Sequence, residues 1–173
     1  MEHNQTCCFF GHRKINQTTE LKNKLNKVIE DLIINKKVDT FLFGSKSEFY
    51  DLCLSVVTKL KVKYPYIKRV YVRAEYPYID ESYKNYLSES YEETYYPPKI
   101  INAGKAAYVE RNCEMIDKSS ICVVYYDESY LPNRKNNKSG TKIACDYAVQ
   151  KDNEIINIKA YRGNMLDKEV RLL

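Results

Sequence analysis

Three short polar segments of the chain carry residue types that bind anions. Gly11-His12-Arg13 and Gly44-Ser45-Lys46 each follow an apolar run, and Ser139-Gly140-Thr141 opens a helical pattern. Glycine lets a ligand approach the backbone, arginine offers paired donors to a phosphate, and helix N-termini attract negative charge. Each segment alone is more simply a turn with a helix cap. Together they predict one site for a phosphate-bearing ligand.

Acid–base chemistry has three candidate side chains. His12 titrates near neutral pH, Glu48 lies one helical turn beyond the second glycine segment, and Glu114 lies on a later predicted helix. The alternatives are a hydrogen-bonding structural role for the imidazole and solvated helix charges for the two carboxylates. The chain contains neither G-x-G-x-x-G nor G-x-x-x-x-G-K-[ST], so the sequence supports neither the usual dinucleotide fingerprint nor a P-loop.

The six cysteines lie in apolar segments, and none forms a C-x-x-C pair. They are Cys7, Cys8, Cys53, Cys113, Cys122 and Cys145. The chain has only two histidines, His3 and His12, so a zinc cluster is a poor fit. We therefore expect reduced, buried thiols, no metal and no cofactor.

Composition indicates one globular domain spanning residues 1–173, with 44% hydrophobic and 29% charged residues. The apolar runs are too short for a membrane span, and the polar N-terminus does not resemble a signal peptide, so we expect a cytoplasmic protein with no membrane contact. The net charge of +5 is weak evidence for nucleic-acid binding, because the abundance of Lys, Asn, Ile and Tyr is typical of the codon bias of an AT-rich genome. The charge is also uneven, since residues 75–93 are acidic. We do not expect a nucleic-acid partner.

The elements that must position these residues alternate along the chain. Continuous apolar runs predict five strands buried on both faces, at residues 7–10, 40–43, 69–73, 121–126 and 155–158. Helical periods separate them, at 18–35, 49–60 and 104–117 and from 139–141 onward. This alternation predicts an α/β, Rossmann-like three-layer sandwich with a mostly parallel sheet of five or more strands in the order 3-2-1-4-5. Ligands bind at the carboxyl edge of such sheets.

A tyrosine-rich excursion at about residues 75–103 interrupts this alternation, and it contains three of the chain's prolines. We predict one short helix within it, near residues 81–87. Tyrosine gives large contact area with a polar tip, so the excursion is either an interface for self-association or a locally packed subdomain.

The segment from Cys8 to Arg13 resembles the strand-then-GHR opening of small bacterial proteins in the SLOG superfamily. This Rossmann-like group is shared by the DNA-processing protein DprA and the Lonely Guy phosphoribohydrolases. The similarity extends over about residues 6–158. It includes 43–51, 64–72, the helix at 110–117 that contains Arg111 and Asn112, and the loop at 139–141.

The resemblance implies a pocket for a nucleotide or nucleotide-derived ligand, with ADP-ribose-type signalling molecules among the candidates, and self-association. It places in the pocket Gly11, His12, Arg13, Gly44, Ser45, Lys46, Arg111, Asn112, Ser139, Gly140 and Thr141. The Lonely Guy signature has a glutamate three residues after its threonine, whereas Ala144 follows Thr141 at that spacing. We therefore expect a non-catalytic sensor or sequestering protein. A nucleotide N-glycoside hydrolase or transferase is the first alternative, and a DprA-like single-stranded DNA binder is the second.

Overall fold

The computed structural model describes residues 4–44, 46–127 and 139–159. Across these ranges six parallel strands form one sheet in the order β4-β3-β2-β1-β5-β6. The strands are β1 (Gln5–Gly11), β2 (Val38–Phe43), β3 (Lys68–Val72), β4 (Glu93–Tyr95), β5 (Ile121–Tyr125) and β6 (Glu154–Asn157). The α-helices are α1 (Thr19–Asn35), α2 (Glu48–Lys63), α3 (Glu81–Ser88), α4 (Ala107–Asp117) and α5 (Gly140–Gln150).

The predicted order of the five long strands is confirmed, with β1 in the middle of the sheet. Helix α1 packs on α2, and α4 packs on α5. Because parallel crossovers are right-handed, the first pair covers one face and the second pair covers the other. The result is the predicted three-layer, Rossmann-like sandwich.

The sheet has one strand that the sequence pattern did not predict. Strand β4 lies inside the tyrosine-rich excursion and pairs with the outer side of β3. The Arg73 guanidinium donates to Thr94 Oγ1 at 3.0 Å, and the backbone N–H of Arg73 donates to the Tyr95 carbonyl at 2.8 Å. These contacts, rather than an apolar pattern, hold the strand in place. The short helix predicted near residues 81–87 is confirmed as α3.

Side-chain caps fix the starts of four helices. Thr18, Ser47, Asp80 and Ser139 each accept a hydrogen bond from the backbone N–H three residues later, at 2.8–3.0 Å. Such caps satisfy amides that have no partner within the helix. The helix predicted from residue 104 instead begins with a 3₁₀ turn, Gly104–Ala106, and becomes α-helical at Ala107.

The core lies on both sides of β1. Cys7, Cys8 and Phe9 are fully buried, and the Phe9 ring packs against Phe41 and Phe43, with centroids 5.9 and 5.1 Å apart. A strand with no solvent-facing side is apolar at consecutive positions, which explains its continuous pattern in the sequence. All six cysteines carry free thiols, and all but the half-buried Cys113 are buried. None of the helices in the described ranges is long and apolar enough to cross a bilayer.

Candidate functional site

A cleft of about 1230 Å³ opens at the carboxyl edge of the sheet. Gly11, His12 and Arg13 line it from the end of β1, Lys46 from the approach to α2, and residues 139–141 from the start of α5. The three polar segments of the sequence therefore meet at one cleft, because parallel strands end at the same edge. Ser45, which the sequence also placed here, lies outside the described residues.

Arg111 is the most buried charged residue of the cleft, with 2% of its surface exposed. Its Nη1 donates to the Val72 carbonyl at 3.1 Å, and its Nε donates to Asn112 Oδ1 at 2.9 Å. These bonds orient the guanidinium along the end of β3. Arg111 and Asn112, which only the family resemblance suggested, both line the cleft.

Gly44 lies beneath the cleft and does not line it. A β-carbon at this position would be 3.0 Å from the guanidinium carbon of Arg111 and 3.0 Å from the Tyr50 hydroxyl. The absence of a side chain therefore makes room for Arg111. The sequence placed Gly44 against the ligand, whereas the structure gives it a supporting position.

Gly11 is required by packing between a strand and a helix. A β-carbon here would overlap the ring of Phe49, in the first turn of α2. Glycine thus lets the N-terminus of α2 approach the end of β1. In the same region the backbone N–H of Glu48 donates to the Arg13 carbonyl at 2.9 Å, which joins the first loop to the start of α2.

The start of α5 lines the cleft. The Ser139 hydroxyl already accepts from the Lys142 N–H at 3.0 Å. Among the described residues, no atom apart from the chain neighbours and the helix backbone lies within 4 Å of where a β-carbon on Gly140 would be. The first amides of a helix point out of its N-terminus and carry partial positive charge. Together with the exposed side chains of Arg13 and Lys46, they form what we call the anion end of the cleft.

Four tyrosines that the sequence analysis did not assign to the site form another part of the lining. We call Tyr71, Tyr76, Tyr83 and Tyr108 the tyrosine wall. Tyr76 and Tyr108 are 53% and 45% exposed, so part of each side chain is accessible to a ligand. The Arg111 guanidinium lies 5.8 Å from the centroid of Tyr108. The only sequence signal was the density of tyrosines in this part of the chain.

One carboxylate lies within the tyrosine wall. Glu75 lines the cleft and accepts a hydrogen bond from the Tyr108 hydroxyl at 2.8 Å. This bond raises the pKa of Tyr108, so the phenol remains a donor at neutral pH. Charges in the lining are mixed within the described residues: Arg13, Lys46, Lys105 and Arg111 face Glu48, Asp51 and Glu75. Both signs of charge therefore occur in the cleft, and its described lining is not uniformly basic.

The two glutamates considered for acid–base chemistry have other partners. Glu48 lines the cleft, but its Oε2 accepts from the Ile15 N–H at 2.6 Å and so holds the first loop. Glu114 forms an ion pair with Lys99 at 2.9 Å and does not belong to the cleft lining. Neither geometry favours a general acid or base aimed at a ligand.

His12 has its imidazole inside the protein. It is 4% exposed, and its Nε2 accepts from the Asp127 N–H at 3.0 Å. Burial lowers its pKa, outweighing the carboxylate of Asp127, which acts in the opposite direction. A neutral ring that accepts a backbone hydrogen bond fits the structural role better than proton transfer.

No three His, Cys, Asp or Glu side chains come together as a metal site would require, within the part of the chain that the structure describes. A scan of known protein families finds no matching model for the chain, and a search of curated proteins finds no match either.

Proposed function

We propose that the protein binds a nucleotide or nucleotide-derived molecule in this cleft and acts as a sensor or a sequestering protein. The observation that carries the proposal is the presence of the anion end and the tyrosine wall in one cleft. A nucleotide has two parts that match them, because its phosphates are anionic and its base is a planar aromatic ring.

Each part of the cleft has a physical role in this proposal. The phosphate takes hydrogen bonds from Arg13 and from the first amides of α5, with Lys46 nearby. The base stacks on an exposed ring of the wall, Tyr76 or Tyr108, which contributes about 1–3 kcal/mol. Arg111, which lines the same cleft beside Tyr108, is the residue that we expect to contact the sugar or a second phosphate.

The size of the cleft also supports an extended ligand. Its 1230 Å³ exceeds the roughly 300–1,000 Å³ of pockets that enclose drug-sized molecules. A nucleotide with a second phosphate or second sugar would fit, and this class includes the ADP-ribose-type signals that the resemblance implies.

Binding is favoured over bond cleavage because the two glutamates that the sequence suggested for acid–base chemistry, Glu48 and Glu114, have other partners. Cleavage of an N-glycosidic bond needs a general acid or base at the reacting atoms. The Glu48 carboxylate accepts a hydrogen bond from the Ile15 N–H, and Glu114 forms an ion pair with Lys99. Ala144 is at the position where the phosphoribohydrolase signature has its glutamate. The hydrolase alternative is therefore the second candidate.

Mass spectrometry of small molecules that co-purify with the protein is the first test. Calorimetry then compares a nucleoside monophosphate with its nucleoside and with inorganic phosphate. We expect the nucleotide to bind more tightly than either part, because only it engages both the anion end and the tyrosine wall. Equal binding of nucleotide and phosphate would contradict the proposal, and release of free base on incubation would favour the hydrolase.

We further propose that the protein acts in the cytoplasm and self-associates through the tyrosine-rich excursion. Tyr78 and Tyr86 are 88% and 63% exposed outside the cleft lining, which supports a contact surface there. Light scattering of the wild type and of the double variant Tyr78→Ser, Tyr86→Ser tests this. A monomeric wild type would contradict it.

A further inference from the structure

We propose that Glu75 reads the base of the ligand and that the cleft prefers guanine nucleotides. The inference rests on the proposed function, since it assumes that a nucleotide places its base at the tyrosine wall. It adds a specificity-determining residue and narrows the ligand class to guanine, away from adenine-containing ADP-ribose-type signals.

The position of Glu75 supports this role. Its carboxylate is exposed, lines the cleft and contacts the Tyr108 hydroxyl at 2.8 Å. Tyr76, the next residue in the chain, has an exposed ring that meets Tyr83 edge to face, with centroids 5.9 Å apart. A base stacked on Tyr76 or Tyr108 would therefore bring its edge to the Glu75 carboxylate.

The chemistry of the carboxylate selects among bases. An ionised carboxylate only accepts hydrogen bonds and offers about four lone-pair positions, of which Tyr108 uses one. The Watson–Crick edge of guanine presents two adjacent donors, N1–H and the N2 amino group, which match its two oxygens. Adenine presents one donor, the N6 amino group, next to the N1 lone pair, which a carboxylate repels. Hypoxanthine keeps N1–H but lacks the second donor.

A ribose diol would also donate two hydrogen bonds to a carboxylate. The surroundings of Glu75 favour the base instead, because Tyr76, Tyr83 and Tyr108 provide flat apolar faces rather than polar partners for a sugar. The two readings make opposite predictions for 2′-deoxynucleotides, which lack one hydroxyl of the diol but keep the base.

Tyr108 is a positioning residue in this arrangement. Its hydroxyl donates to Oε1 of Glu75 and so restricts where the carboxylate can point. The variant Tyr108→Phe keeps the ring for stacking and removes only this hydrogen bond. We expect it to reduce the preference between bases by a few-fold while leaving the protein folded.

Calorimetry on the full chain with GMP, dGMP, IMP and AMP tests the inference, using wild type, Glu75→Gln and the control Glu89→Gln. Glu89 is an exposed glutamate at the end of α3, outside the cleft lining, so its variant makes the same change of charge. The wild type and the control should bind GMP about 10-fold or more tightly than AMP, the usual gain from a bidentate contact, with IMP between them. Glu75→Gln should abolish or reverse the preference, because an amide can pair with both N1 and N6 of adenine.

The possible failures are distinguishable. If the wild type binds GMP and AMP equally, or if Glu75→Gln keeps the preference for GMP, the guanine inference is wrong and the proposed function stands. If Glu75→Gln changes the discrimination between GMP and dGMP and not that between GMP and AMP, Glu75 contacts the sugar and the inference is likewise overturned. If no nucleotide binds, both proposals fail. Tyr108→Phe gives an independent measurement, since an unchanged GMP-to-AMP ratio there contradicts its positioning role.

Discussion

The guanidinium carbon of Arg111 lies 3.0 Å from the position that a β-carbon on Gly44 would take. Gly44 directly follows β2, whereas Arg111 lies on α4, more than sixty positions later in the chain. A buried cation in the cleft therefore depends on the absence of a side chain on a different element.

We expect Gly44→Ala to displace Arg111 and Tyr50 and to lower the free energy of unfolding. An extra methyl group in a packed interior costs about 1–3 kcal/mol. Urea denaturation measures the loss. Gly140→Ala is the matched control, since a β-carbon there meets no side chain of the described residues within 4 Å. A Gly44→Ala variant as stable as the control would show that the Arg111 side chain moves aside without cost.

Arg13→Ala should weaken nucleotide binding by about 1.5–3 kcal/mol, the usual value of a hydrogen bond to a charged group. The melting temperature without ligand should stay unchanged, because the Arg13 side chain is exposed. Calorimetry and thermal melting measure the two effects, with Lys22→Ala on the exposed surface of α1 as the control. Unchanged affinity would remove Arg13 from the site. A large fall in melting temperature would instead assign it to the architecture of the first loop.

Stability should fall as the pH drops through 6.5, in part because of His12. Burial holds its folded-state pKa below its ordinary value of 6.5. Between those two values the unfolded chain binds more protons than the folded protein, so acid favours unfolding, with a slope of at most about 1.4 kcal/mol per pH unit for one group. The contribution is complete above pH 6.5.

The measurement is urea denaturation at about pH 7.5 and about pH 5.5, on either side of the ordinary histidine pKa. His12→Gln provides the comparison, because its amide oxygen can accept from the Asp127 N–H but does not titrate. We expect a smaller loss of stability in acid for the variant. An identical loss in both proteins would assign the pH dependence to other groups.

We expect the six cysteines to differ in the rate at which they react with a thiol reagent. Cys113 is half-buried and lines the cleft, whereas the other five thiols are buried, and burial raises the pKa of Cys7, Cys8 and Cys53 well above the ordinary value. A thiol reagent added to the native protein should therefore label Cys113 first. Bound nucleotide should slow this labelling by covering the cleft.

Titration of the denatured, non-reduced protein supplies the total and should approach all six cysteines. A count near zero would mean that the cysteines form disulfides and that the expectation of a reducing compartment is wrong. Labelling of Cys113 at an equal rate with and without nucleotide would place the ligand away from α4.

The strand order could be predicted because buried parallel strands are apolar at consecutive positions, as at Cys7–Phe9. Strand β4 could not, since Glu93 is exposed, Thr94 and Tyr95 are only partly buried, and the three residues carry no such pattern. It forms because Arg73 and the edge of β3 lie beside it, and those contacts arise only after the chain folds.

The candidate site, like the sheet, could be predicted from the sequence only in part. Arg13 and Ser139–Thr141 belong to the loops that every parallel sheet brings to its carboxyl edge, so their meeting follows from topology. The tyrosine wall draws on β3, α3, α4 and a connecting segment, and no spacing in the sequence relates Tyr71 to Tyr108. The sequence suggested acid–base chemistry for Glu48, but it could not show the hydrogen bond from the Ile15 N–H, which is a contact between separate elements.

The tyrosine wall and Glu75 lie on one continuous stretch, residues 71–108, whereas the anion end is assembled from Arg13, Lys46 and the start of α5. The residues that would bind the base and those that would bind the phosphate therefore belong to separate parts of the chain. We expect replacement of residues 71–108 to change the selectivity for the base while Arg13, Lys46 and residues 139–141 keep their sequences. A designed chain with a different segment at 71–108 would then differ from this protein in the base that it binds and not in its binding of the phosphate.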